Sequence, residues 1–235
     1  MSNLSWLTGR ALALSTAQLT RIKHLPIATG EDDMPLSQRR LVVVDVETSG
    51  LNTRRDHVLA IGAVVIEHGE VDFSQQFECT LRQQAHRPSA STLIHGLSPA
   101  ALAAGRNPAE ALLEFMEFVG HSPLLAFHAP FDQRMLARAF KRVLGYRLPH
   151  TFVDVAQLAP LLYPNAAAGA SGLDDWCKVF GLCAEERHHA SADALVTAEM
   201  TLMLLSKARA QGLTHLSQVQ RAIAAHERRR LGLAF

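Results

Sequence analysis

Four carboxylates and one histidine of this chain lie where strands end and helices begin, and their types suit metal binding and the activation of water. Asp45 and Glu47 follow the apolar run 41–44, which is typical of a strand buried on both faces. Residues two apart on a strand point to the same side, so we expect both carboxylates to face one place. Charged groups at the end of a buried strand are costly unless something binds them.

The remaining candidates lie near the starts of two later helices. Asp132 follows a predicted fourth strand, and Asp193 lies near the start of a long apolar helix, with His188 in the loop before it. Taken singly, Asp132 and Asp193 also have an ordinary explanation, because the helix dipole favours an acid in the first turn of any helix. His188 and His189, taken singly, are also ordinary loop histidines. Spacing alone therefore leaves a purely structural role open for each of these groups.

The elements that must position these groups alternate along the chain. Three apolar or β-branched runs predict strands, and His68–Gly69 predicts a tight hairpin between the second and third. Cap residues followed by proline, at Ser98 and Asn107, predict helix starts. The order predicts an α/β fold with a mixed sheet flanked by helices. The predicted strands are residues 41–44, 58–66, 71–80, 124–127 and 151–153, and the later helices are 131–144, one opened by a capping box at 171–174 and ending at 180, and 190–205.

Taken in order, these segments resemble the signature of the DEDD exonuclease superfamily, in its DEDDh branch. Asp45 to Leu51 is similar to Asp-x-Glu-Thr-x-Gly-Leu, and Ala126 to Asp132 resembles Ala-His-Asn-Ala-x-Phe-Asp. His188 to Asp193 resembles His-x-Ala-x-x-Asp, and Ile94 to Leu97 is similar to the His-Gly-Ile segment of that family. The resemblance spans residues 41–205, and within the family the chain is similar to the proofreading epsilon subunits of bacterial DNA polymerase III.

The resemblance implies a ribonuclease H-like five-stranded fold and a 3′→5′ exonuclease that releases nucleoside 5′-monophosphates. Converging carboxylates repel one another, and two divalent ions, Mg²⁺ or Mn²⁺, would relieve that repulsion and clamp the reacting oxygens. The implied metal ligands are Asp45, Glu47, Asp132 and Asp193, and the implied general base is His188. The implied substrate-binding residues are Val46, Thr48, Gly50, Leu51, His95, His128 and Phe131. Among them Thr48 is expected to bond the 3′-hydroxyl, Leu51 to lie against the terminal base, and Phe131 has core packing as its alternative.

Two positions depart from the pattern of that family. Phe127-His128 stands where members usually carry His-Asn, which affects contacts to the nucleotide, and Ala60 stands where many polymerase-associated members carry glutamate. The full set of acids and the histidine is present, which argues against a non-catalytic nucleic-acid-binding module. No residue here recognisably reads the 2′-hydroxyl, so both DNA and RNA remain open; single-stranded DNA is the favoured substrate, and an RNA-directed exoribonuclease is the alternative.

Composition bears on partners and location. The formal net charge is +1, which does not by itself predict a nucleic-acid-binding protein. Arg134, Arg138 and Arg142 share one face of a predicted helix, where they either steer a phosphate backbone or form a plain solvated face. No apolar run reaches the roughly 20 residues of a membrane span. Three cysteines without metal-ligand spacing indicate reduced thiols and a cytoplasmic protein.

We expect three regions along the chain. Residues 1–40 form an N-terminal helical extension and linker, 41–206 the exonuclease domain, and 207–235 a helical, basic C-terminal tail. Residues 230–235 resemble a sliding-clamp-binding peptide of the Gln-Leu-x-Leu-x-Leu type, with arginine at the lead position. The implied partners are a nucleic acid with a free 3′ end and a DNA polymerase or sliding clamp, with no membrane.

Overall fold

The computed structural model describes residues 14–28, 33–83, 95–183 and 187–232. Its sheet has five strands in the order β3-β2-β1-β4-β5, so β1 is the central strand. β1, β2 and β3 pair antiparallel, whereas β1, β4 and β5 run parallel. The predicted mixed five-stranded sheet is therefore confirmed. The strands are β1 (Leu41–Thr48), β2 (Val58–Glu67), β3 (Glu70–Thr80), β4 (Leu124–Ala126) and β5 (Phe152–Asp154).

Helices cover both faces of this sheet. The predicted caps at Ser98 and Asn107 both accept hydrogen bonds from the first turn of their helices, and each is followed by proline. The helices of the described residues are α1 (Thr16–Lys23), α2 (Pro99–Ala104), α3 (Pro108–Val119), α4 (Ala129–Leu144), α5 (Val155–Leu162), α6 (Leu173–Phe180), α7 (Ala190–Ala210) and α8 (Leu216–Arg230).

One predicted cap had the wrong register. The capping box expected over 171–174 would use Asp174 as its acid, but the N-cap of α6 is Gly172, one residue later than Ser171. Asp175 therefore stands at the third helical position, and its carboxylate accepts hydrogen bonds from the amides of Ser171 and Gly172. This leaves the carboxylate of Asp174 available to Arg187, with which it forms an ion pair.

The sheet separates two apolar cores, because successive side chains of a strand point to opposite faces. On one face the alternate valines of 42–46 pack with α3 and α4. On the other face Leu41 and Val43 pack with α5 to α8. Asp45 and Glu47 continue this second face toward the carboxyl end of β1. Their carboxylates therefore lie on the face of the sheet that α7 covers.

The β2–β3 hairpin turns as predicted. His68 and Gly69 both have positive φ, 53° and 81°, which is the backbone of a two-residue turn that suits the twist of paired strands. The hairpin sets the register in which Gly62 of β2 pairs with Asp45 on one side and Glu78 on the other.

The N-terminal helix packs on the first core. Arg21 of α1 forms ion pairs with Glu110 and Glu117 of α3, and Leu25 is buried in the core. The carboxylate of Glu110 also accepts a hydrogen bond from the side-chain amide of Gln18.

At the other end, α7 continues to Ala210, and α8 buries Val219 and Ile223 in the second core. Residues 1–13 and 29–32 of the predicted extension, and residues 233–235 of the predicted clamp peptide, lie outside the described residues. Across the described ranges, no helix combines the length and the apolar character that crossing a membrane requires.

Candidate active site

Three of the predicted metal ligands lie close together at the carboxyl end of β1. Ligand oxygens of Asp45, Glu47 and Asp193 all lie within 4.8 Å of one another. β1 supplies the first two from one face, and the first turn of α7 supplies the third. Because β1 is buried at the centre of the sheet, its backbone holds the two carboxylates at a fixed separation. The cluster therefore combines residues separated by almost the whole domain in sequence.

Asp132, the fourth predicted ligand, adjoins this group. It lies in the first turn of α4 and is 3% exposed. The backbone groups of Asp132 and Val46 lower its pKa, against the larger effect of burial. Its charge acts on Asp45, although its oxygens fall outside the group of three described above.

Burial makes ionisation of these carboxyl groups unfavourable. Burial raises the pKa of Asp45 well above its usual range, and the charges of Asp132 and Asp193 raise it further. Burial, and then the charge of Asp193, raises the pKa of Glu47 to about 7. Burial also raises the pKa of Asp132 to about 8, with smaller contributions from the charges of Asp154 and Glu47. In the absence of an added cation, part of the cluster therefore holds protons near neutral pH.

Arg187, which the sequence analysis missed, lies against this cluster. Its guanidinium donates to the carboxylates of both Asp193 and Asp174 and is partly buried. Its charge lowers the pKa of Asp45 and of Glu47, against the effect of burial. Arg187 is therefore an internal counter-ion for the acids. Its position directly before His188 was the only sequence signal for this role.

The two neighbouring histidines have different surroundings. His188 has a positive φ of 64°, its backbone amide donates to the carboxylate of Asp193 at 3.2 Å, and its side chain is exposed. His189 is the N-cap residue of α7, and its ring contacts Ser191 and Glu78 at 3.0 and 3.4 Å. The loop at His188 therefore folds back onto Asp193, whereas the ring of His189 is held over β3.

The predicted substrate-binding residues of the β1–β2 loop form a compact, internally bonded turn. The buried hydroxyl of Thr48 donates to the carbonyl of Gly50 at 2.9 Å. A side chain at Gly50 would lie 2.6 Å from the carboxylate of Asp56, which itself accepts from Ser49 and from the amide of Asn52. A residue larger than glycine at this position would therefore displace the Asp56 carboxylate from its hydrogen bonds within the loop.

Helix α4 holds this loop from outside. Arg138 donates hydrogen bonds to the carbonyls of Thr53, Arg55 and Asp56. The sequence left a choice between phosphate steering and a solvated face for this arginine, and the structure gives it a third role. In the loop held in this way, Leu51 is 85% exposed.

The other predicted substrate-binding residues are spread around the site. His95 is buried, and its Nδ1 accepts from the amide of Leu97 at 3.1 Å, while Ile94 of the same segment lies outside the described residues. His128 is exposed at the start of α4 with a φ of 61°. Phe131 is half-buried against the first core, in keeping with the packing alternative.

A fifth acid, Asp154, was not predicted. It ends β5 and accepts hydrogen bonds from the amides of Ala156 and Ala129, at 3.0 and 3.3 Å. It therefore joins the start of α5 to the start of the helix that carries Asp132. Burial raises its pKa, and its charge contributes to the raised pKa of Asp132. The signal for it was present, because Phe152 and Val153 precede this acid as an apolar strand precedes Asp45.

The donor set of the cluster fits a hard divalent cation. All the predicted ligand atoms are carboxylate oxygens, which suit Mg²⁺ or Mn²⁺ better than softer metals. Burial first, and then the charges of neighbouring acids, raise the pKa values of Asp45, Glu47 and Asp132 despite Arg187, so full ionisation leaves an excess of buried negative charge. Added divalent charge would correct this imbalance.

Carboxylates gathered at the carboxyl end of the central strand of a mixed sheet, with a histidine before the last acid, define the DEDDh class of exonucleases. The chain belongs to the exonuclease family RNase_T, whose family model matches residues 42–201.

Curated relatives include a DNA polymerase III subunit epsilon-like protein of Rhodobacter capsulatus, which is 33% identical over 199 residues. That match covers 83% of this chain and 28% of the relative. A PolC-type DNA polymerase III of Thermotoga maritima is 30% identical over 190 residues, covering 81% of this chain and 14% of the relative. The chain therefore spans less than a third of either protein.

Solved structures share the fold. E. coli exonuclease I in complex with a dT13 oligonucleotide has a TM-score of 0.63 and 18% identity, covering 74% of this chain and 42% of that one. Exonuclease X in complex with 5′ overhanging duplex DNA has a TM-score of 0.61 and 19% identity, covering 78% and 99%. These similarities support the ribonuclease H-like fold that the sequence implied.

Proposed function

We propose that this chain is a metal-dependent 3′→5′ exonuclease that hydrolyses terminal phosphodiester bonds of single-stranded DNA and releases nucleoside 5′-monophosphates. The observation that carries the proposal is the convergence of Asp45, Glu47 and Asp193 within 4.8 Å, with Asp132 beside them. Exonuclease I, a structural neighbour, is bound to single-stranded DNA in its complex. This favours DNA over RNA as the substrate class.

The residues of the site divide into three roles, which are metal binding, proton transfer and binding of the terminal nucleotide. Asp45, Glu47 and Asp193, with Asp132, would hold two divalent ions. Bound there, such ions supply a water of lowered pKa and positive charge for the phosphate oxygens. His188 accepts the proton of the attacking water at an imidazole nitrogen, because its exposed ring adjoins a backbone bonded to Asp193.

The loop at the end of β1 receives the terminal nucleotide. Leu51 offers an exposed apolar side chain for the last base, and Thr48 offers a hydroxyl oxygen near the 3′-hydroxyl. Asp56 and Arg138 fix the shape of the loop before substrate arrives, which lowers the entropic cost of binding. A phosphate group near the cluster also meets the exposed His128 at the start of α4.

The direct test is degradation of single-stranded DNA and RNA of the same sequence, labelled at either end, with Mg²⁺ or Mn²⁺ and with EDTA. We expect metal-dependent release of mononucleotides from the 3′ end, with DNA degraded faster. Early release of a 5′-terminal label would contradict the polarity. Cleavage of a closed circle would show an endonuclease, and faster loss of RNA would assign an exoribonuclease.

A pair of matched variants ties the activity to the cluster. Asp193→Asn removes a ligand charge with little change in shape and should abolish turnover. Asp72→Asn makes the same change at a partly exposed acid of β3, whose carboxylate bonds Ser74 and Gln75, and should leave turnover unchanged. Turnover of Asp193→Asn near that of the wild type would reject the metal-site assignment.

We further propose that the enzyme works with a DNA polymerase or its sliding clamp. The support is the likeness to polymerase III relatives and the clamp-type peptide at 230–235, of which 233–235 lie outside the described residues. Deletion of 230–235 should abolish retention on an immobilised sliding clamp and leave nuclease turnover intact. Undiminished retention after the deletion would exclude this peptide as the contact.

A further inference from the structure

A row of three residues crosses the antiparallel half of the sheet beside the acidic cluster. Gly62 of β2 pairs with Asp45 of β1 on one side and with Glu78 of β3 on the other. Residues paired across antiparallel strands place their side chains on the same face of the sheet. Gly62 is therefore a gap between two carboxylates on the face that α7 covers.

The first turn of α7 lies in this gap, directly on the backbone of β2. A Cβ atom added to Gly62 would lie 2.2 Å from the carbonyl carbon of Ala190 and 2.2 Å from the amide nitrogen of Ser191. Ordinary contacts between such atoms are about 3.5–4 Å. Any side chain at Gly62 would therefore push the start of α7 away from the sheet by more than about 1 Å.

Glu78 contacts the same turn from the side opposite Asp45. Ser191 donates its hydroxyl hydrogen to Oε2 of Glu78 at 3.0 Å, and Nε2 of His189 lies 3.4 Å from Oε1. Nδ1 of His189 is also 3.0 Å from the hydroxyl of Ser191. These contacts are partly exposed, so each is weak, but all act on the turn that Gly62 admits. Asp193 lies in that turn.

We propose that Gly62 and Glu78 are positioning residues of the active site. Gly62 sets the height of the first turn of α7 above the sheet, and Glu78 sets its lateral position through His189 and Ser191. Together they place Asp193, and the backbone of His188 bonded to it, against Asp45 on the neighbouring strand. Neither residue touches the substrate or the reacting atoms. The inference rests on the proposed function of the site for its effect on turnover, but its effect on metal affinity is independent.

Gly62→Ala tests the height of the helix in the full-length chain. We expect binding of Mn²⁺, followed by electron paramagnetic resonance or calorimetry, to weaken, and kcat on single-stranded DNA to fall by about 10²-fold with KM little changed, because a displacement near 1 Å can cost that much. Gly169→Ala is the matched control, since among the described residues an added Cβ there meets nothing within 4 Å. It should behave as the wild type.

Glu78 supplies a second series in case Gly62→Ala does not fold. Glu78→Ala should lower Mn²⁺ affinity and kcat by about 2- to 5-fold, as expected for weak surface contacts. Glu78→Gln keeps an acceptor for the hydroxyl of Ser191 and should restore most of the loss. Glu70→Ala, at the exposed far end of β3, is the control and should have no effect.

The outcomes separate this inference from the proposed function. Wild-type Mn²⁺ affinity and kcat in both Glu78→Ala and a folded Gly62→Ala would overturn the positioning role. So would an unfolded Gly62→Ala together with a neutral Glu78→Ala. If the wild-type chain binds Mn²⁺ but degrades no nucleic acid, while these variants bind Mn²⁺ more weakly, the positioning role stands and the nuclease function falls. A wild-type chain that binds no Mn²⁺ overturns both.

Discussion

Asparagine at position 132 should stabilise the metal-free protein while abolishing its activity. Asp132→Asn keeps the shape of the side chain and one oxygen that can accept from the backbone amide of Val46. It removes a carboxyl group whose pKa, about 8, lies far above the ordinary value of 3.8 because of burial. It also removes one of the charges that raise the pKa of Asp45.

The sign of the pH dependence follows from proton binding. Between about pH 4 and pH 8 the folded wild type keeps a proton on Asp132 that the unfolded chain releases. The free energy of unfolding therefore falls as pH rises, by about 1.4 kcal/mol per pH unit for this one group. At pH 7 the free energy of unfolding of the wild type has therefore fallen by on the order of 4 kcal/mol. The Asp132→Asn variant does not show this fall, because asparagine does not titrate.

The assay is urea unfolding in EDTA at pH 5, 6, 7 and 8. The free energy of unfolding of Asp132→Asn should exceed that of the wild type increasingly toward pH 8, and its slope against pH should be shallower. Asp72→Asn is the control, because hydrogen bonds from Ser74 and Gln75 lower the pKa of Asp72 below this range. A variant less stable than the wild type at pH 8, or with an unchanged slope, would refute the account of the buried charge.

Three further results are expected. His188→Ala should lower turnover by about 10²–10⁴-fold with metal binding retained, whereas His189→Ala should change turnover by no more than a few-fold. Loss of turnover in His189→Ala, with His188→Ala near the wild type, would show that His189 is the general base. Arg187→Gln should tighten Mg²⁺ binding, by roughly tenfold in calorimetry, because it removes a cation bonded to Asp193, and weaker binding would contradict the counter-ion role. Leu51→Ala should leave the melting temperature nearly unchanged because the side chain is exposed, yet raise KM for single-stranded DNA; an unchanged KM would exclude contact with the terminal base.

The sequence was sufficient for features that depend on local pattern. The apolar run before Asp45 predicted the central strand because strand burial on both faces leaves a continuous apolar stretch. Ser98 and Asn107 predicted helix starts because capping is decided within a few residues. The order of the acids, through resemblance to a family, predicted that the carboxylates of Asp45, Glu47 and Asp193 would lie together.

Features that depend on contacts between distant segments could not be predicted in the same way. Gly62 is required by the backbone of Ala190, and nothing near it in the sequence indicates that approach. Arg138 was placed on the correct helix, but its bonds reach a loop more than eighty residues earlier in the chain. The cap of α6 shows the limit of local pattern. Asp174 was predicted to cap this helix and Asp175 does so, because the two acids are adjacent and only the exact start of the helix decides which one has the capping role.

On the proposed function, the hydrogen bonds of Arg138 also bear on how many nucleotides are removed in each cycle. Arg138 and Asp132 lie on one helix, about 9 Å apart along its axis. The first holds the loop that presents Leu51, and the second belongs to the acidic cluster. If Leu51 stops the terminal base, the loop that carries it and the acid Asp132 are both held by one helix, which keeps the spacing between them fixed. On the proposed function, this fixed spacing makes the product a single nucleotide at every step.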